Sequence, residues 1–260
     1  MPSPTIIKTS PIDINNLRGR IGRVKSSAKT SKEILLIYDQ DQSIESMEYL
    51  ADSLSKYASV TIVDLPGLGG MDSFYKSNQR PTLEIMSAYL AALIKLRVKN
   101  NKITLITIGS GLPIAITLLQ KQSQASKKVN KLISIGGFVH MFDLNQGLLK
   151  RSFKYIFYLI KSTWVITKLF GVRNKSFRTK AYINMTLAKL NVCNLPVVAD
   201  LKYVSLSDKN IDENTLKQHL LILSPKSKIK RVNIKQSIDK IFTDKKQSKK
   251  LVEECLKEMI

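Results

Sequence analysis

Between residues 31 and 143, short apolar runs alternate with amphipathic helical segments. This alternation limits the possible fold classes more than any other feature of the sequence. The runs are rich in Ile, Leu and Val, as in strands that are buried on both faces. They are Ile34–Ile37, Val60–Val63, Ile103–Ile108 and Lys131–Ile135, and the helical segments between them are Ser46–Lys56, Leu83–Lys99 and Leu112–Gln120. This alternation predicts the α/β class, a mostly parallel sheet covered by helices on both faces.

The segments before and after this alternation differ from it in composition. Residues 1–30 carry six basic side chains against one acid, and three prolines. They predict a basic N-terminal arm or an edge hairpin rather than core. Residues 144–199 hold ten Lys or Arg, eight aromatic residues and no acid. The range 144–215 is therefore predicted to be a basic, aromatic-rich helical cap.

The core is predicted to resume in the C-terminal part of the chain. Leu220–Leu223 has the character of a buried strand. Lysine-rich Asp239–Ile260 predicts a closing helix, whose apolar contacts include Leu251, Leu256 and Met259. We therefore assign residues 216–260, together with 31–143, to one α/β core.

The net charge and the cysteines bear on partners and compartment. The formal charge of +22 favours nucleic acid, anionic lipid or acidic proteins without choosing between them, and general basicity is the alternative. Cys193 and Cys255 fit no metal or redox spacing and indicate a reducing compartment. Met1–Thr9 lack a secretory apolar stretch, and no uncharged run approaches the ~20 residues of a membrane span. The prediction is a cytoplasmic protein with no metal and no cofactor.

Three sequence motifs follow one another between residues 34 and 111. Ile34–Met47 contains a strand, a loop and the start of a helix, Val63–Gly70 contains the turn Asp-Leu-Pro-Gly-Leu-Gly, and Thr104–Gly111 ends a strand in Gly-Ser-Gly. With Pro81–Leu83, which opens the intervening helix, they resemble the α/β-hydrolase superfamily over residues 33–139. The resemblance implies the family's oxyanion loop, its Asp-x-Pro-Gly-x-Gly turn and its nucleophile elbow.

The elbow of that resemblance carries a glycine where the nucleophile is expected. An elbow has small residues two positions before and after the nucleophile, because its strained backbone leaves no room for larger ones. When Thr104–Ile106 fill the strand, the small positions are Thr107 and Gly111, and the nucleophile position is Gly109. Ser110 is one residue away and reaches that place only through a local rearrangement.

The other parts of the resembled site depart from the family pattern as well. The oxyanion loop begins with Tyr38 and Asp39 instead of His-Gly, and a carboxylate there opposes an oxyanion electrostatically. The loop after the predicted strand Leu220–Leu223 is Ser224–Lys228, which contains no acid, and no histidine follows His219. The resemblance therefore implies the fold without the Ser-His-Asp triad.

His140 is a further candidate for chemistry. It follows a predicted strand at the carboxyl end, where open α/β sheets bind ligands, and Asp143 lies three residues on. The pair could supply a base, or His140 could simply cap the strand. We predict a pocket rim made of Tyr38, Asp39, Gly109, Ser110 and His140. His219 precedes a predicted strand and is assigned a structural role.

The cap contains a long basic and apolar segment. Residues 148–170 include neither proline nor glycine and predict one helix, with lysines along a narrow face beside a wide apolar face. This pattern fits a lid on the core. It also fits a membrane-surface helix with contacts to anionic headgroups from Lys150, Arg151, Lys154, Lys161 and Lys168. The aromatic side chains lie within the apolar face, which argues against nucleic acid.

These observations favour a non-catalytic binder of an apolar or acyl-type ligand, or of a protein partner, between sheet and cap. The first alternative is an esterase-like hydrolase with an unorthodox site made of Ser110, His140 and Asp143. The second is a peripheral protein at the inner membrane face, held to an anionic surface by the basic cap. The sequence indicates neither a substrate nor an oligomeric state.

Overall fold

The structure, a computed structural model, describes the chain in several segments. These are residues 7–40, 42–98, 100, 102–137, 200–206, 214, 217–218, 220–221, 224, 227–232 and 238–260.

One eight-stranded sheet organises the described residues. Its strands are β1 (Lys8–Ile14), β2 (Leu17–Val24), β3 (Glu33–Ile37), β4 (Ser59–Val63), β5 (Ile103–Ile108), β6 (Val129–Ile135), β7 (Asp200–Leu206) and β8 (Lys228–Val232). Their spatial order is β1-β2-β4-β3-β5-β6-β7-β8. The pairs β1–β2 and β2–β4 are antiparallel. The other five neighbouring pairs, from β4–β3 along the sheet to β7–β8, are parallel. The predicted mostly parallel sheet is confirmed.

Helices cover both faces of this sheet. They are α1 (Glu48–Ser55), α2 (Leu83–Arg97), α3 (Gly111–Lys121), α4 (Ser123–Ser126), α5 (Ile238–Thr243) and α6 (Lys245–Leu251), with short helical turns at Glu45–Met47, Phe74–Ser77 and Val252–Leu256. Thr82 begins α2, because its side-chain oxygen accepts a hydrogen bond from Ile85 N. Asp244 caps α6 in the same way with extended backbone. The predicted closing helix is therefore interrupted at Asp244.

The core lies in two layers, one on each face of the sheet. Successive residues of a strand point to opposite faces, so Leu105 packs in one layer and Ile106 in the other. The first layer includes α2 and α3, and the second includes α1 and the C-terminal helices. Leu251, Leu256 and Met259 are buried in the second layer, as predicted.

The N-terminal segment enters the core further than predicted. β1 and β2 form a hairpin, and β2 pairs with β4. On one face of the sheet, the hairpin buries four apolar side chains: Ile12, Ile14, Leu17 and Ile21. The expectation that this segment lies outside the core is wrong for them, because the alternating side chains of β1 and β2 present one apolar face.

The strand predicted at Leu220–Leu223 is wrong. Leu220 and Leu221 are helical, and β7 at Asp200–Leu206 lies beside β6 instead. β7 falls inside the range predicted for the cap. A short apolar run satisfies strand and helix patterns alike, whereas β7 is interrupted by Lys202 and gave a weaker signal.

Candidate functional site

The carboxyl ends of the parallel strands bring two distant turns together. β3 leads into Tyr38 and Asp39, and β5 leads into Gly109 and Ser110. In open α/β sheets, ligands bind at this edge. Four of the predicted site residues are therefore neighbours at the edge where a ligand is expected.

Gly109 forms the sharp turn between β5 and α3. Its φ of +53° lies in the left-handed region, which glycine adopts without a steric penalty. Its N–H donates to Ile135 O at 3.2 Å, which joins the turn to the end of β6. A Cβ atom at this position would lie only 2.0 Å from Asp39 Oδ2. The Asp39 carboxylate thus fills the space into which a side chain at position 109 would extend.

Asp39 accepts hydrogen bonds from both turns. Its Oδ1 atom lies 2.8 Å from the N atom of Gln40, 3.2 Å from Ser110 N and 2.6 Å from Ser110 Oγ. Ser110 is buried and is the N-cap residue of α3, so the carboxylate also faces the positive end of that helix. The Ser110 hydroxyl is consequently directed at Asp39.

An ion pair between a fully buried aspartate and a partly exposed arginine supports the loop that carries Asp39. The Asp64 side chain, directly after β4, has no exposed surface. It accepts hydrogen bonds from Arg20 Nε at 2.9 Å, from Gly70 N at 2.8 Å and from the Tyr38 hydroxyl. A buried carboxylate is stable only with such donors. The backbone that follows the Asp-x-Pro-Gly-x-Gly turn therefore donates a hydrogen bond to the turn's first residue, Asp64.

Arg20 extends this cluster to the far end of the same loop. Its Nη2 atom donates to Glu45 Oε2 at 2.9 Å. The hydrogen bond with Glu45 raises the pKa of Arg20, burial opposes that rise, and Asp64 adds to it. Burial, followed by the charge of Asp64, raises the pKa of Tyr38, which remains a protonated donor. Because Tyr38 and Glu45 bracket Asp39 in sequence, the cluster holds the loop that positions the carboxylate.

The glycine at position 69 permits this packing. Its φ is +55°, and a Cβ there would lie 2.4 Å from both Asp64 Oδ1 and the Tyr38 hydroxyl oxygen. Any side chain would therefore separate the aspartate from its donors.

Comparison with known proteins shows which solved structures have a similar fold. No family model matches the sequence, and no curated protein matches it. Among solved structures, Cfl2 from Burkholderia cenocepacia has a TM-score of 0.74 at 13% identity, covering 99% of this chain and 97% of that one. A thermophilic esterase from Thermogutta terrifontis gives 0.67 at 13% identity over 96% and 98% of the two chains. The chain has the α/β-hydrolase fold. The epoxide hydrolase CorEH is also similar, with a TM-score of 0.69 at 11% identity over 98% and 100%.

The hydrogen bonds of Asp39 can be compared with the active site of enzymes that have the α/β-hydrolase fold. In those enzymes, the nucleophile lies on a turn between a strand and a helix. Their oxyanion hole combines the N–H of the residue after the nucleophile with an N–H from the loop that corresponds to the one after β3. In this chain, the turn between β5 and α3 contains Gly109 and Ser110, and the loop after β3 contains Gln40. Asp39 Oδ1 accepts hydrogen bonds from the N–H groups of Gln40 and Ser110. A carboxylate oxygen thus sits between the two donors.

Other predicted site residues lie outside the described residues. They are His140, Asp143, His219, Lys150, Arg151, Lys154, Lys161 and Lys168. The roles assigned to them stay predictions. The structural role of His219 was inferred from a strand at Leu220, and that strand is wrong.

Sequence reasoning missed Arg20 and misplaced the loop after the seventh strand. A lone arginine in an alternating strand predicts only a polar face, and its pairing with Asp64 depends on tertiary structure. β7 ends at Leu206, and the acid that follows it in sequence is Asp208, whereas the acid was expected in Ser224–Lys228, after a strand that is wrong. Asp208 itself lies outside the described residues.

Metal ligands and membrane spans were searched for in the described segments. There, no group of three or more His, Cys, Asp or Glu side chains is arranged to hold a metal ion. None of the helices in those segments has the length and apolar character needed to cross a bilayer.

Proposed function

We propose that this chain is a binding protein with the α/β-hydrolase fold rather than a serine hydrolase. The supporting observation is that Asp39 Oδ1 accepts hydrogen bonds from Gln40 N and Ser110 N. A serine hydrolase places the developing oxyanion of its substrate between these donors. A carboxylate that already lies there excludes the oxyanion and repels its charge. Gly109 adds to the argument, because it offers no nucleophile.

The same carboxylate restricts the chemistry of the ligand. A negative charge at this edge disfavours free fatty acids and other anions. It favours a neutral molecule that presents an N–H or O–H group to Asp39. We therefore propose a neutral ligand with a long apolar chain, either an acyl-type ligand such as a fatty amide or a long-chain alcohol, with its apolar part between the sheet edge and the predicted cap. A protein segment with the same donor groups is the alternative occupant.

A turnover assay tests whether the site is catalytic. Purified protein and its Ser110→Ala variant are incubated with p-nitrophenyl esters of short and medium chain length, and both are treated with a fluorophosphonate probe. We expect no turnover above the buffer rate and no labelling at Ser110. Ester hydrolysis that disappears in Ser110→Ala would overturn the proposal.

A matched pair of ligands tests the binding role. Octanamide and octanoate have the same chain length and differ at the head group. We expect octanamide to raise the melting temperature of the wild-type protein more than octanoate does, because only the amide donates to Asp39. Asp39→Asn removes the charge and should reduce this preference. Equal responses to the two ligands in both proteins would contradict the ligand class.

A hydrolase of ester-type bonds is the second candidate, and one contact favours it. Ser110 Oγ donates to Asp39 Oδ1 at 2.6 Å. A carboxylate in that position could accept the hydroxyl proton as Ser110 Oγ attacks an acyl carbon. Two similar structures are named as an esterase and an epoxide hydrolase. His140 and Asp143 would complete this site. Turnover that is lost in Ser110→Ala and lowered in Asp39→Asn would support the candidate.

A further inference from the structure

The edge of the sheet opposite to the candidate site carries a concentration of cations. A groove of about 380 Å³ there is lined by Arg23, Lys25, Lys32 and Arg97. A second groove, of about 450 Å³, includes Lys95 and Lys128 in its lining. We call these six residues the basic rim. They come from the end of β2, the loop before β3, the end of α2 and the start of β6.

Few acids balance the basic rim. Among the described residues, Glu33 is the only acid in the lining of the first groove, and it is half-buried. The described lining of the second groove contains no acid. Lys121, a further cation of that groove, is paired with Glu84 at 2.9 Å and is left out of the rim for that reason. The described part of this edge is therefore strongly positive.

Hydrogen bonds hold the segments of the basic rim together. Lys128 Nζ donates to Val98 O at 3.0 Å, and Asn100 Nδ2 donates to Ser31 O at 2.7 Å. These contacts tie the start of β6 and the loop before β3 to the chain just after α2. The cations are thus presented by ordered backbone, which reduces the entropy that is lost on binding.

An exposed apolar side chain lies among these cations. Leu96, in the last turn of α2, is 62% exposed. It lies between Lys95 of the second groove and Arg97 of the first in sequence. A leucine flanked by cations suits the boundary between lipid headgroups and acyl chains, where the apolar side chain inserts and the cations meet phosphates.

We propose that the basic rim, together with the exposed Leu96, is a docking surface for an anionic lipid bilayer. This surface is distinct from the cap lysines considered in the sequence analysis, and it is independent of the function proposed for the opposite edge. Nucleic acid fits it less well, because the described residues that line the two grooves include no aromatic side chain on which a base could stack.

Two triple variants with equal charge change test the location of the surface. The rim variant carries Arg23→Gln, Lys25→Gln and Lys32→Gln, and the control carries Lys246→Gln, Lys249→Gln and Lys250→Gln, which change three exposed lysines of α6. Binding is measured by co-sedimentation with vesicles of phosphatidylcholine alone and of phosphatidylcholine with about 30% phosphatidylserine. The full chain is used throughout, and circular dichroism checks that each variant is folded.

The wild-type protein should bind the anionic vesicles only, and salt should weaken binding because the attraction is Coulombic. The rim variant should lose affinity by about 100-fold, at roughly fivefold for each cation removed near the headgroups. The control should bind nearly as the wild type does. Leu96→Gln should weaken binding with all cations still present, which separates insertion from charge.

Three outcomes would overturn the proposal. Wild-type affinity in the rim variant would show that this surface is not used. Equal losses in the two triple variants would assign binding to net charge alone. Tighter binding of single-stranded nucleic acid than of anionic vesicles at the same salt, lost in the rim variant, would identify a different partner.

Discussion

Asp39 Oδ2 lies only 2.0 Å from the point where a side chain on Gly109 would begin. The two residues come from different loops and meet at the carboxyl ends of β3 and β5. The carboxylate is held there by its hydrogen bonds to Gln40 and Ser110. The absence of a side chain at position 109 and the position of the carboxylate are therefore one structural feature.

Gly109→Ser should destabilise the protein and create no esterase. The serine would adopt a left-handed backbone, at a cost of about 1–2 kcal/mol, and its Cβ would displace Asp39. We expect the free energy of unfolding, measured with urea, to fall by at least about 2 kcal/mol. The double variant Gly109→Ser with Asp39→Ala relieves the displacement and should be more stable than Gly109→Ser alone. An unchanged urea midpoint in the single variant would contradict this account.

Asp39→Ala should leave an empty anion site. Two N–H groups and the Ser110 hydroxyl lose their acceptor, so stability should fall by about 1–3 kcal/mol. Added acetate should then raise the melting temperature of this variant but not that of the wild type, because acetate supplies the missing carboxylate. Asp39→Asn keeps an acceptor oxygen and should respond little to acetate. The same acetate response in all three proteins would show that the carboxylate does not occupy a specific site.

Arg20→Met should cost more stability than Tyr38→Phe. The first change removes the cationic partner of a fully buried carboxylate, for which a loss of about 3–5 kcal/mol is typical. The second removes one neutral donor to the same carboxylate, for which about 1.5–3 kcal/mol is typical. Arg18→Met is the matched control, because Arg18 is on the same strand and its side chain is 83% exposed. Urea unfolding should place the control within about 0.5 kcal/mol of the wild type, and an equally large loss in the control would contradict the role of the Asp64 pair.

The Arg20–Glu45 contact should add to stability at neutral pH and less in acid. Burial, the largest single influence, would raise the pKa of Glu45. The hydrogen bonds from Arg20, from the Glu45 backbone N–H and from Ser43, together with the charge of Arg20, outweigh it, and the pKa lies below its ordinary value of 4.5. A lowered carboxyl pKa stabilises the folded state above the unfolded-state value, and this contribution is lost as the pH falls through the folded-state pKa.

Melting temperatures of wild type and Glu45→Gln between about pH 3 and pH 7 would check this. Their difference should be largest at neutral pH and should shrink in acid. In an Arg20→Met background, Glu45→Gln should have a much smaller pH-dependent effect. A difference that is constant with pH would mean that the contact does not couple to protonation.

The sequence by itself determined the α/β alternation from β3 to β6 and the turn at Gly109. Buried strands need continuous apolar residues and covering helices need an amphipathic period, and both patterns are local properties of the chain. The position of Asp39 in the loop directly after β3 followed from the same local pattern, whereas an oxyanion loop at this place was implied only by the family resemblance. The strand prediction for Leu220–Leu223 was wrong because four consecutive apolar residues fit a helix as well as a strand.

Only the tertiary structure decided what Asp39 does. Its hydrogen bonds to Ser110 join residues that are 71 positions apart, and the pairing of Arg20 with Asp64 spans 44 positions. These contacts exist because the strand order places β3 beside β5 and β2 beside β4. Strand order and the direction of a side chain at a strand end depend on packing between distant segments, and no local pattern of residue types encodes them.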